Sequence, residues 1–302
     1  MQGFRRSLLL AASLLALAPL APLAHAQGFP TNITFSENIG FLADPTSDDH
    51  LPFWITAHEA AHQWWPNIVM PAEGPGAPVL SEGLSHFSAM LLVEQVKGAA
   101  ARQALARRLE HHYAKARVAD AEQPLTRVDA EGKRKGIQTV WYDRGGWAFW
   151  MLMRAMGRDE MFRGLHAFVD AYRDNPDHPT LHDFLVTLRP HAKDAAAYDD
   201  AVRTWFESVT LPAFQLEAVE KRAQGSAWVV SGTVRNAGSG DVSVDVGVRG
   251  ARGETSAKTT VRVSANGVAG FAITTAEEPR EVVVDPDVDV LQIGRKGARR
   301  DL

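Results

Sequence analysis

The sequence predicts an α+β chain of more than one domain, a mainly α-helical part followed by a small all-β sandwich. Three observations carry this. Hydrophobic residues from about Phe53 to Ser208 recur with helical spacing. From about Pro212 the pattern switches to period two, broken by Gly, Asn and Asp. Ahead of both stands a short apolar run flanked by arginines and small residues.

Taken in order, Arg5-Arg6 precede the apolar stretch from Leu8 to Ala18, then Pro19, Pro22 and Ala24-His25-Ala26. This is the layout of a signal peptide over 1–26 with cleavage after Ala26, so the expected compartment is the periplasm or the exterior. An uncleaved N-terminal membrane anchor is the alternative, although the run is short and proline-interrupted for a span. Residues 27–50 have room for one or two strands. The stretch 27–211 then reads as one mainly helical domain and 212–302 as the β domain.

Leu51-Pro52-Phe53-Trp54 opens a helix expected to run about four turns towards Pro66. It carries His58-Glu59-Ala60-Ala61-His62. Positions i and i+4 share a helix face, so both imidazoles can reach one ion. Glu59 is placed to take a proton from a water at that ion rather than to bind the metal. Ser81 is expected to cap the next helix, with Glu82 in its first turn as the third ligand. Two neutral nitrogens, one carboxylate and an open position suit one hydrolytic Zn2+ per chain. His86 stands one turn on, as a partner of a ligand, a rival ligand or a packed core residue. The loop 67–79 is rich in Pro and Gly, as a tight return needs.

The stretch AARQALARRLEHHYAKARVADAE (100–122) reads as a long amphipathic helix with mostly exposed charge, His111 and His112 among it. DEMFRGLHAFVDAYRD (159–174) and LHDFLVTLRP (181–190) read as shorter helices. Tyr142, in TVWYDRGGWAFWML, suits either packing or an oxyanion donor, since a phenol is neutral near pH 7. Trp54, Trp64, Trp65, Trp141, Trp147 and Trp150 are expected to gather around the site. Beyond 212, AWVVSGTVRNAGSGDVSVDVGVRG, KTTVRVSANG, GFAITTA and REVVVDP read as strands of an Ig-sized sandwich. Asp287 and Asp289 read as turn residues, and GRKGARRDL as a frayed tail.

These residues resemble peptidase family M1, the aminopeptidase N-like gluzincins, whose signature is H-E-x-x-H, 18 residues, then Glu within N-E-G. Here 19 residues (63–81) intervene and the tripeptide is Ser81-Glu82-Gly83. HEAAHQWW and GAPVLSEGLSHFSAMLLVE look closest to a bacterial branch joined to ABC-type permeases. Ser36-Glu37-Asn38-Ile39-Gly40-Phe41 is similar to the end of the family's G-A-M-E-N motif, without its Gly-Ala-Met. The resemblance implies that Glu37 binds the substrate's free amine. Tyr142-Asp143-Arg144-Gly145 resembles Y-x-K-G, which implies that Tyr142 stabilises the oxyanion. It further implies a thermolysin-like catalytic domain and a zinc-dependent aminopeptidase acting on peptides. The alternatives are an endopeptidase with the same centre, or a non-catalytic metal-binding module accessory to a transporter. The family's large N-terminal β domain has no room here. The expected partners are therefore peptides and either a membrane transporter or a chain supplying that missing domain.

Composition sets limits. The 302 residues are 45% hydrophobic and 23% charged with a net charge of −4, which leaves no nucleic-acid footprint. The absence of cysteine excludes a thiol nucleophile and a thiolate metal site.

Overall fold

The computed structural model describes residues 26–36 and 50–302. Glu37 and the expected signal peptide up to residue 25 lie outside the described residues. Among those described, no helix is long and apolar enough to cross a membrane.

The fold is α+β, as the periodicities require. A two-stranded antiparallel hairpin comes first, β1 (Ala26–Phe29) with β2 (Asn32–Phe35). It rests on α1 (Leu51–Ala61). The Gln63 side chain ties the two together, donating from Nε2 to Phe29 O at 2.8 Å and accepting from Thr31 N at 2.9 Å. At Gly28 the backbones meet so closely that a Cβ would lie 2.5 Å from Glu59 O.

α1 is shorter than the two prolines suggest. It ends at Ala61, and His62 is already its C-cap. Pro66 has no N–H to continue the ladder. The chain widens instead, with Asn67 N bonded to His62 O and Val69 N to Trp64 O. Next come α2 (Leu84–Lys97), α3 (Ala99–Ala116), α4 (Gly145–Met156), α5 (Arg158–Tyr172), α6 (Leu181–Leu188) and α7 (Ala195–Trp205). α4 is the central helix: Trp147, Ala148, Phe149, Leu152 and Met156 are wholly buried. α6 starts with a reciprocal Thr180–Asp183 capping box, which satisfies its first free N–H groups. α7 went unread in the sequence; Asp194 caps it by accepting from Ala196 N and Ala197 N.

The β part holds two sheets. One has the order β3 (Phe214–Gln224), β4 (Ala227–Asn236), β7 (Val268–Thr275). The other has the order β6 (Thr255–Val263), β5 (Val242–Arg249), β8 (Glu281–Val284), β9 (Arg299–Asp301). All neighbours are antiparallel. Val230, Val234, Val246, Val248 and Val282 fill the shared core, each at the inward position of an alternating strand. The tail is not frayed, because Arg299–Asp301 pairs with β8.

A buried polar seam joins the two parts, and it refines one expectation and corrects another. Arg102 of α3 donates to Val288 O (2.6 Å) and Asp287 O (2.9 Å). Glu110 of the same helix takes Arg295 at 2.7 Å, and Arg295 also reaches Asp285 at 3.0 Å. Asp289 accepts from Trp150 Nε1 at 3.0 Å. Most of the charge on α3 is exposed, as at Arg107, Arg108 and Lys115, but Arg102 and Glu110 are buried. Asp289 is likewise an interdomain anchor rather than a plain turn residue. Removing one partner of a buried pair leaves the other uncompensated, at about 3–5 kcal/mol. Glu110→Ala should lower the unfolding free energy by about 3 kcal/mol, the low end because Arg295 keeps Asp285. Urea unfolding followed by circular dichroism measures it.

Candidate metal centre

His58 and His62 leave α1 one turn apart on its buried side, with Glu59 between them. Glu82 comes from the turn just before α2. That turn, Val79–Gly83, is wound as a π-helix, and Ser81 makes no cap there. The wider turn carries Glu82 to the histidines. Its Oε2 lies 3.3 Å from His58 Nε2 and 3.2 Å from His62 Nε2. The donor atoms of the three residues lie within 4.8 Å of one another, the one such cluster among the described residues.

The fit to a cation is more than composition. Glu82 Oε2 is buried and, among the described residues, no hydrogen bond reaches it, a state that costs free energy unless something positive sits there. Burial pushes the Glu82 carboxyl up, but the flanking imidazoles outweigh this and hold it well below the usual carboxylate range. His62 presents Nε2 because its Nδ1 faces Trp65 O, with Ser85 Oγ at 3.1 Å. A ligand histidine with its other nitrogen on a carbonyl has a fixed tautomer. Two imidazoles and a carboxylate, with no thiolate, suit Zn2+.

Tyr142 arrives from a second π-helical turn, Val140–Arg144, directly ahead of α4. Its ring stacks on His58 with centroids 5.7 Å apart. Burial, then the charge of Glu82, raises its phenol far above the ordinary value, so it stays a neutral O–H donor. The two π-turns touch back to back through glycine. A Cβ on Gly83 would lie 3.1 Å from Trp141 O, and one on Gly145 would lie 3.1 Å from Gly83 Cα. Gly83→Ala should therefore push the Glu82 and Tyr142 turns apart. The expected cost is about 1–3 kcal/mol of stability, read as a fall in melting temperature with weakened zinc binding.

A cavity of about 440 Å³ opens beside the histidines, lined by His58, Glu59, Trp54, Tyr142, Arg108 and His112 among others. A broader groove runs along Ser81, Glu82, Gln138, Trp141 and Tyr142. Trp65 reaches the site through its carbonyl, but three of the tryptophans do not gather here. Trp147 and Trp150 belong to the α4 core, and Trp64 is half exposed. Arg144 stays away from the cavity as well. It is buried and bonded to Glu122, Gln123 O and Ser208 O, so it anchors the turn rather than touching substrate. Of the three readings of His86, the structure shows it paired with His58: its Nδ1 lies 2.8 Å from His58 Nδ1. His112, expected to be solvated, binds Asp143 Oδ2 at 2.6 Å while most of its side chain stays exposed.

A helix bearing H-E-x-x-H, met by a glutamate from the turn before the next helix, is the arrangement of the gluzincin class of metallopeptidases. The chain belongs to peptidase family M1: the profile of the "Peptidase family M1 domain" matches residues 31–205. Among solved structures it is similar to Legionella pneumophila aminopeptidase A in complex with aspartic acid. That likeness has a TM-score of 0.59 and 16% identity, over 88% of this chain and 30% of the other. It shows a shared fold. The M1 zinc metallopeptidase of Deinococcus radiodurans is 26% identical over 53% of this chain and 34% of its own length, with a TM-score of 0.43. This chain thus spans about a third of the length of these structures. No curated protein matches.

Proposed function

We propose that this chain is a zinc-dependent peptidase of aminopeptidase type, exported to the periplasm or beyond. The observation that carries the reading is the buried, otherwise unpartnered Glu82 oxygen between two imidazole nitrogens, with Glu59 and Tyr142 on the same cavity. A zinc ion held by His58, His62 and Glu82 would acidify water and polarise the scissile carbonyl. Glu59 takes the proton of the attacking water and delivers it to the leaving amine. The Tyr142 hydroxyl donates a hydrogen bond to the oxygen that gains charge as the carbonyl is attacked. It can do so because its phenol holds its proton. Glu37, in this reading, accepts hydrogen bonds from the substrate's ammonium and so measures the free N-terminus.

The amine anchor is tested by a ratio. Glu37→Ala should lower kcat/KM for an aminoacyl amide by roughly ten- to a hundredfold, the loss of a charge-assisted hydrogen bond of about 1.5–3 kcal/mol. Cleavage of an N-acetylated peptide and the zinc content should hardly move. Equal loss on both substrates would make the chain an endopeptidase. Zinc bound without turnover on either would make it a metal-binding module. For export, mass spectrometry of the mature protein should find Gln27 at its N-terminus, since small residues occupy positions −3 and −1 before it.

A further inference from the structure

This inference rests on His58 being a metal ligand. Its Nε2 faces Glu82, and its Nδ1 lies 2.8 Å from Nδ1 of His86. Of two such nitrogens, one must carry a proton and the other a lone pair. The metal end decides which. An imidazole that gives its Nε2 lone pair to a cation keeps its proton on Nδ1. His58 therefore donates and His86 accepts. A neutral His86 that accepts at Nδ1 holds its own proton on Nε2. That nitrogen faces Asp143 Oδ1 at 3.7 Å. The other oxygen of Asp143, Oδ2, accepts from Thr139 Oγ1 and from His112 Nδ1, each at 2.6 Å. The donor and acceptor of the His58–His86 contact are then assigned.

We propose that His86 is a positioning residue for the metal centre, fixing the tautomer and ring plane of His58. Ligand histidines usually give their second N–H to a carboxylate, a carbonyl or water. His62 follows that habit with Trp65 O. At His58 a neutral imidazole takes the place, and the carboxylate stands one step further out. The slot for it is built. The His86 ring packs between Trp54 and Tyr142, with centroids 5.9 and 5.3 Å away. The helix opposite has Gly146 at the contact, where a Cβ would lie 2.7 Å from His86 Cβ. The rings of His58 and His86 stand at 88°, so His86 does not stack on the ligand but meets it edge-on.

The test compares His86→Gln with His86→Met in the full chain. The two side chains are alike in length, but only Gln offers a good acceptor. Zinc affinity is measured by competition with a chromophoric chelator, so no turnover is needed. His86→Met should weaken zinc binding ten- to a hundredfold, the usual effect of losing the outer partner of a ligand. His86→Gln should stay within about threefold of the parent, because its amide oxygen keeps the acceptor. Equal affinities of the two variants, both folded by circular dichroism, overturn the role of His86. A parent chain that binds no zinc overturns the metallopeptidase reading itself, a different result. Should His86→Met fail to fold, imidazole ¹⁵N shifts of the zinc-loaded parent decide. A protonated Nδ1 on His58 with an unprotonated Nδ1 on His86 supports the assignment, and the reverse overturns it.

Discussion

A chain carrying His58→Ala and His62→Ala together should hold no zinc after dialysis, where the parent holds one ion, and should hydrolyse nothing. The two imidazoles supply both nitrogen donors of the cluster, and Glu82 alone offers a single carboxylate. One carboxylate cannot keep zinc against water, whereas three protein ligands with an open position can. Elemental analysis gives the stoichiometry directly. Full occupancy in the double variant would place the metal elsewhere. Circular dichroism should accompany the measurement, because removing both imidazoles also strips the Glu82 carboxylate of the two rings that flank it.

Glu59→Gln should separate binding from chemistry. The amide has the shape of the carboxylate and leaves the helix untouched, so zinc content and fold should be preserved. The side chain can no longer take a proton from water, and turnover should fall by on the order of a hundredfold or more. Loss of the metal in this variant would make Glu59 a ligand and remove its role as base. Glu59 is buried in the wall of the cavity, and its backbone carbonyl presses on Gly28 of the hairpin. Its position is thus set from two sides.

Much of the centre was legible because its spacing is local. His58 and His62 share one helix face, and Glu82 follows within reach, so their meeting in one cluster could be read without tertiary information. The path that brings Glu82 in was not legible. Ser81 read as a cap, yet the chain makes a π-turn there, and no hydrophobic period announces one extra residue in a turn. The same holds for the turn bearing Tyr142. The contact of His86 with His58 depends on a glycine sixty residues later, so sequence left three readings open. Arg102 and Glu110 misled because their partners lie some 180 residues further along the chain. In the β part the alternation of Val230, Val234, Val244 and Val246 gave strands correctly. The edge strand Arg299–Asp301 has only polar residues, and its pairing comes from backbone bonds to β8. The role of Glu37 rests on its motif, as it lies outside the described residues.

The seam between α3 and the segment 285–295 has a consequence for how the molecule comes apart. Each part covers charged groups of the other, so neither can separate without exposing unpaired guanidinium and carboxylate groups to rearrangement. A protease that nicked the connection 206–213 would leave two fragments that stay associated through native gel filtration. Calorimetry of the intact chain should show one transition rather than two, because the sandwich and the helices share a single cooperative unit.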